Sequence, residues 1–160
     1  MLSELNYLSL WAIYLNSFYM RITIVNGPNL NLLGKREKDI YGNRSFEDFF
    51  EEIVVKYPDH NFSYMQSNVE GEIINLLHEA DKMSDGIILN AAGYTHTSVS
   101  VADAVASIST PVIEVHITNI LAREDFRHNS LIAPVCSGAI FGFGLNGYRL
   151  AINAFINNHI

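Results

Sequence analysis

Five short runs rich in β-branched and apolar residues recur along this chain, separated by polar segments and by stretches of helical period. They are RITIVN (21–26), FSYMQ (62–66), GIILN (86–90), PVIEVH (111–116) and SGAIFGFG (137–144). The runs are continuous, not alternating, and a strand that is apolar on both faces has to be buried on both. That requirement calls for a parallel sheet with helices on each side. The segments between the runs supply the helices. Ser45 precedes FEDFFEEIVVKY, where Phe46, Phe49, Phe50, Ile53 and Val54 recur at helical spacing, and Pro58 ends the pattern. VEGEIINLLHEADKM (69–83), TSVSVADAVASI (97–108) and NGYRLAINAFI (146–156) read as further helices, while 117–134 reads as a long polar connection.

Alternation of this kind predicts an α/β fold of five βα units, a flavodoxin-like doubly wound sheet of five parallel strands in the order 2-1-3-4-5. In such sheets ligands bind beyond the carboxyl ends of the strands, at the switch point between the first and third. The polar residues follow that rule. Asn26 and Asn29 come after the first strand, Gln66 and Asn68 after the second, Asn90 and His96 after the third, and His116, Thr118 and Asn119 after the fourth. All fall on one rim, so a single site is expected there.

A chain of 160 residues, 49% of them hydrophobic, is long enough for one domain with a sizeable core. Its net charge of −7 gives no electrostatic footing for nucleic acid or an anionic membrane. A local cluster of cations can still receive a small anion. One cysteine, Cys136, excludes an intrachain disulfide, and no CxxC or HExxH pair suggests a metal. A reducing, cytoplasmic location fits. The first twenty residues are apolar and aromatic with only Glu4 charged, yet they lack a basic leader and a small-x-small cleavage site, and Ser, Asn and Glu interrupt the apolar run. The expectation is that the native protein starts at Met20. Residues 1–19 are then an upstream in-frame extension, and residues 20–160 the single domain.

The stretch NGPNLNLLGKREKDIYG (26–42) is longer than the usual strand–helix connection, and loops of that length tend to be functional or disordered. It carries two amides (Asn29, Asn31), three cations (Lys35, Arg36, Lys38) and Tyr41. A neighbouring positive charge favours a phenolate, so such a loop can do base chemistry; the alternative is a solvated surface loop. Other chemistries lose support in turn. Gly142-Phe143-Gly144-Leu145-Asn146-Gly147 is a literal GxGxxG, but no strand and acidic residue follow it before Ile160, and tight strand–helix packing explains it better. A phosphate-binding Walker loop, a flavin-type Ser/Thr/Gly loop, the acidic residues of a receiver domain and a GxSxG elbow are all missing from their places.

Acid–base chemistry remains. Strand alternation puts Glu114 and His116 on the same side, and a carboxylate beside an imidazole orients it and stabilises its cation, as a general acid requires. A histidine merely satisfied at a strand end is the plainer alternative. In Arg123-Glu124-Asp125-Phe126-Arg127, a helical segment would set Arg123 and Arg127 one turn apart as a clamp for an anionic or polyhydroxylated ligand. The alternative there is a solvated charged turn.

NGPNLNLLGKREKDIYG, QSNVEGEII, ILNAAGYTHTSVSVADA, PVIEVHITNILAREDFRHNS and GFGLNGYRLA together closely resemble the type II 3-dehydroquinate dehydratases, from Arg21 to about Phe155. The resemblance implies a cofactor-free anti elimination of water from 3-dehydroquinate, giving 3-dehydroshikimate through an enolate. It implies Tyr41 as the base beside the ketone, with Arg36 lowering its pKa. An unperturbed tyrosine is only about a thousandth ionised at pH 7, a penalty of roughly 4 kcal/mol that nearby cations must offset. Asn29 with an ordered water stabilises the enolate oxygen, and His116, held by Glu114, protonates the departing hydroxyl. Asn90 and the backbone N–H groups of Ile117 and Thr118 take the substrate carboxylate, His96 and Arg127 take ring hydroxyls, and Arg123 helps close the loop carrying Arg36 and Tyr41. Asp103 matches an acidic residue that reaches a neighbouring subunit's site in a dodecamer built of trimers. Two departures stand out. Many members carry Pro-Gly or Ala-Gly after the asparagine, whereas Ala91-Ala92-Gly93 shifts the glycine by one place, and Leu121 stands where another member carries His or Gln. The rival of another class is a catalytically silent flavodoxin-like binding or assembly module.

Overall fold

The computed structural model describes residues 19–35, 44–157 and 160. Five strands form one sheet: β1 Arg21–Asn26, β2 Asn61–Gln66, β3 Gly86–Asn90, β4 Val112–His116 and β5 Gly138–Phe141. Their order is β2-β1-β3-β4-β5 and every neighbouring pair is parallel. The expected doubly wound sheet is therefore observed. Among the described residues four α-helices cover it: α1 Phe46–Lys56, α2 Glu70–Met83, α3 Val99–Ser107 and α4 Asn146–Ile156.

Both faces are buried because successive side chains along each strand feed opposite layers. Ile22, Ile24, Ile88, Ile113 and Val115 pack with Phe46, Phe49 and Ile53 of α1 and with Tyr148, Ile152 and Phe155 of α4. Val25, Ile87, Leu89 and Val112 pack with Ile73 and Leu77 of α2 and with Val101 and Val105 of α3. That division explains why the central strands β3 and β4 read as unbroken apolar runs. The edge strands β2 and β5 are mostly half-buried.

Local signals set the element ends. The Ser45 hydroxyl accepts the Asp48 N–H at 3.1 Å, capping α1 as its sequence predicts. The third helix begins later than its sequence pattern suggests. Ala92–His96 forms a 3-10 turn, and the Ser98 hydroxyl accepts from the Val101 N–H before α3 starts. Strand β5 stops at Phe141 because Gly142 takes a left-handed φ of 85°. Gly147, in the first turn of α4, sits so close to the sheet that a Cβ would meet Val115 at 3.3 Å. Strand–helix packing thus accounts for the GxGxxG match.

The expectation of five βα units needs one correction. No α-helix links β4 to β5; the crossover contains three 3-10 turns, Ile120–Ala122, Asp125–Arg127 and Ala133–Val135. A helical Arg123–Arg127 face is excluded for the same reason. Asn119 caps the first turn by accepting from the Leu121 N–H, and the backbone is extended at Arg123 and Glu124 before the second turn begins. No described helix is long and apolar enough to cross a membrane.

Candidate active site

Register brings the strand ends together. Asn26 lies opposite Gln66 of β2 and Asn90 of β3, and His116 closes β4 beside Phe141. Above this row lies a cavity of about 260 Å³. Asn29, Asn90, His96, His116, Ile117, Thr118, Arg123 and Arg127 all line it. Eight of the residues singled out in the sequence therefore share one wall-to-wall space. Among the described residues no carboxylate lines the cavity and two guanidiniums do, so this part of the cavity suits an anionic ligand.

The deepest chemistry is a buried pair. Glu114 is fully buried, and its Oε1 lies 3.0 Å from His116 Nε2. The Thr95 hydroxyl is 3.4 Å from the same nitrogen. A carboxylate can only accept, so Nε2 carries the hydrogen and Nδ1 is left as the position where a second proton binds or departs. The Ser130 hydroxyl reaches both Glu114 oxygens, at 3.0 and 2.9 Å, and accepts from the backbone N–H groups of Ile132 and Ala133. His96 stacks on His116 with ring centroids 6.1 Å apart. Its Nδ1 lies 2.8 Å from the Asn129 carbonyl, which again fixes the hydrogen there and leaves Nε2 for a ligand.

Arg123 and Arg127 both pair with Glu124, at 3.5 and 2.9 Å, and Arg123 also donates to the Thr118 hydroxyl at 3.4 Å. Glu124's own backbone N–H, followed by the two guanidiniums, holds its carboxyl below the ordinary value. The arginine pair thus converges on the cavity through a shared carboxylate and not through a helical face. Asn29 takes a left-handed φ of 67°, which asparagine tolerates, and its backbone N–H donates to Asn68 Oδ1 at 2.9 Å. Gln66 donates to Asn68 and to the Gly27 carbonyl, so the rim residues of β2 brace the loop after β1 instead of lining the cavity.

Asp103 is exposed on α3, and it is not among the cavity residues. Arg36 and Tyr41 lie outside the described residues. Burial pushes the Cys136 thiol up to about 12, which disfavours its thiolate near neutral pH. Among the described residues no group of three His, Cys, Asp or Glu side chains is placed to hold a metal ion.

A family model described as "Dehydroquinase class II" matches residues 20–156. The chain belongs to the class II dehydroquinases. A 3-dehydroquinate dehydratase of Fusobacterium nucleatum is 54% identical over 138 residues, covering 83% of this chain and 94% of its own. One from Exiguobacterium is 51% identical over 140 residues, covering 87% and 96%. The crystal structure of the type II dehydroquinase from Butyrivibrio crossotus matches at a TM-score of 0.80 and 46% identity, over 86% of this chain and 97% of that one.

Three residues of this class II dehydroquinase site escaped the sequence reading. Thr95 and Ser130 touch the Glu114–His116 pair, and Tyr148 lies beneath the cavity, where its hydroxyl meets Asn26 and Asn90, each at 2.9 Å. Ser130 gives no signal because it sits in a polar connection without period. Tyr148 matches the apolar stripe of α4 and reads as simple core.

Proposed function

We propose that this chain is a cofactor-free hydro-lyase that converts 3-dehydroquinate to 3-dehydroshikimate by anti elimination through an enolate. The observation that carries this reading is the buried Glu114–His116 pair opening into a cavity shared with Asn90 and two guanidiniums. Family membership and the named relatives support it.

The Tyr41 phenolate, stabilised by Arg36, removes a proton from the carbon beside the ketone. The electron pair moves to the carbonyl oxygen, and Asn29 with a bridging water stabilises the resulting enolate. Collapse of the enolate expels the hydroxyl from the next carbon, and the proton on His116 Nδ1 leaves with it as water. Glu114 keeps Nε2 protonated throughout, so Nδ1 is the transferring atom. Return of a proton from Tyr41 to His116 through solvent completes the cycle without a redox partner.

Asn90 and the N–H groups of Ile117 and Thr118 anchor the substrate carboxylate. His96 and Arg127 hold ring hydroxyls. Arg123 helps exclude water from the bound ring. The protein works in the cytoplasm of the cell, in a dodecamer of trimers in which Asp103 of one subunit reaches its neighbour's site.

Adding 3-dehydroquinate to purified protein and following the absorbance of the conjugated enone tests the reading. Steady growth of that absorbance is expected. Its absence at high enzyme concentration would assign the chain to a silent binding or assembly role instead.

A further inference from the structure

Behind the cavity, three fully or nearly fully buried polar side chains form a chain of hydrogen bonds across β1, β3 and α4. Tyr148 donates its hydroxyl hydrogen to Asn26 Oδ1 at 2.9 Å. Asn90 Nδ2 donates to the same hydroxyl oxygen at 2.9 Å, and Asn90 Oδ1 accepts the Ala92 N–H at 3.2 Å. A phenol has one hydrogen, and Asn26 has taken it. Only lone pairs are left facing Asn90, so only the amino end of that amide can point at Tyr148. The opposite orientation would set oxygen against oxygen on one side and N–H against the Ala92 N–H on the other. Both conflicts would be buried, where unpaired polar groups are most costly.

The consequence lies on the ligand side. Asn90 Nδ2 has two hydrogens, and Tyr148 uses one. Asn90 also lines the cavity, so the second hydrogen is the one available there. We propose that Tyr148 is a positioning residue: its hydroxyl fixes Asn90 with an N–H donor toward the cavity, and so makes that end of the cavity select an anionic oxygen group over a neutral one. The inference rests on the assignment of Asn90 to the substrate carboxylate. Burial also pushes the Tyr148 phenol well up, so its donor hydrogen stays in place over the working pH range.

The ring of Tyr148 is held independently of its hydroxyl. It packs edge-on against Phe46 and Phe49, with centroids 5.0 and 6.0 Å away. Tyr148→Phe therefore keeps the ring contacts and deletes the polar link, leaving the Ala92 N–H alone to hold the Asn90 amide in its orientation.

The test measures turnover of 3-dehydroquinate, and calorimetric binding of quinate and of its methyl ester, for wild type and Tyr148→Phe. The expected result is a KM raised about tenfold with kcat changed less than threefold, together with a quinate-over-ester preference that shrinks about tenfold. A purely structural hydroxyl would lower the melting temperature and leave the acid-over-ester preference unchanged, and that result overturns the inference. Should Tyr148→Phe fail to fold, Asn26→Leu removes the acceptor from the other end of the relay. The hydroxyl hydrogen is then free to swing to Asn90, and the same loss of preference is expected. Wild-type protein that turns over nothing would instead sink the dehydratase reading, and the binding preference would still report on Tyr148.

Discussion

The Ser130 hydroxyl lies 3.0 and 2.9 Å from the two carboxylate oxygens of Glu114, which has no exposed surface of its own. Hydrogen bonds to a buried charge are worth roughly 1.5–3 kcal/mol, because water cannot replace them. Ser130 also accepts two backbone N–H groups at the start of the Ala133–Val135 turn. It ties the β4–β5 crossover to the carboxylate that orients His116.

Ser130→Ala should lower stability by roughly 1–3 kcal/mol and reduce kcat about tenfold, with a smaller change in KM. Thermal melting and steady-state kinetics at a temperature where the variant is fully folded check both. Unchanged kcat would show that Glu114 holds His116 without help from the crossover.

Ala92 carries a φ of 51°, a left-handed conformation that L side chains reach at a cost of roughly 1–2 kcal/mol. The strain falls on the residue after Asn90 and Ala91, next to the cavity end that Asn90 lines. Part of the gain from a glycine is offset by its extra chain entropy. Ala92→Gly should raise the melting temperature by about 2 °C, a shift of less than 1 kcal/mol in a domain of this size. A lower melting temperature would mean the Cβ packing of Ala92 outweighs its strain.

Much of this architecture is legible in the sequence because burial on both faces leaves unbroken apolar runs such as GIILN, and a side-chain cap such as Ser45 lies within three residues of its partner. The Glu114–His116 geometry is legible too, since strand alternation alone places the two together. The crossover is not. Arg123 and Arg127 are four residues apart, which reads as one turn of helix, yet Glu124 between them and the Asn119 cap favour two separate short turns. The Tyr148 relay is equally hidden. Its hydroxyl meets Asn26 from 122 residues away, and no local pattern records a contact of that separation.

Two surface carboxylates, Asp81 and Asp85, contribute to the acid side of stability. The Thr110 backbone N–H is the main group holding Asp81 below its ordinary value, and the Arg21 side chain does the same for Asp85. A carboxylate with a depressed folded-state pKa adds stability above its unfolded value and loses it as pH falls through the folded one. The melting temperature should therefore drop below about pH 4, where unfolded Asp side chains begin to protonate. With both replaced by Asn, melting at pH 7 should be slightly lower and the decline below pH 4 shallower. Exposure keeps both effects small. Parallel pH–melting curves for the two proteins would refute the assignment.

Tyr41→Phe keeps the ring and removes the hydroxyl proposed as the base. Folding and assembly should be intact, by circular dichroism and size-exclusion chromatography, while turnover falls at least a hundredfold. Near-normal turnover would take the base role away from Tyr41.

Proton delivery to the leaving hydroxyl is the step on which the proposed chemistry turns, and kcat for 3-dehydroquinate in wild type and His116→Ala measures it most directly. General acid catalysis of this kind contributes typically 10²–10⁴-fold. With His116 as the proton donor, kcat falls by at least a hundredfold with KM within a few-fold of wild type. A His116→Ala protein that turns over at close to the wild-type rate would contradict it.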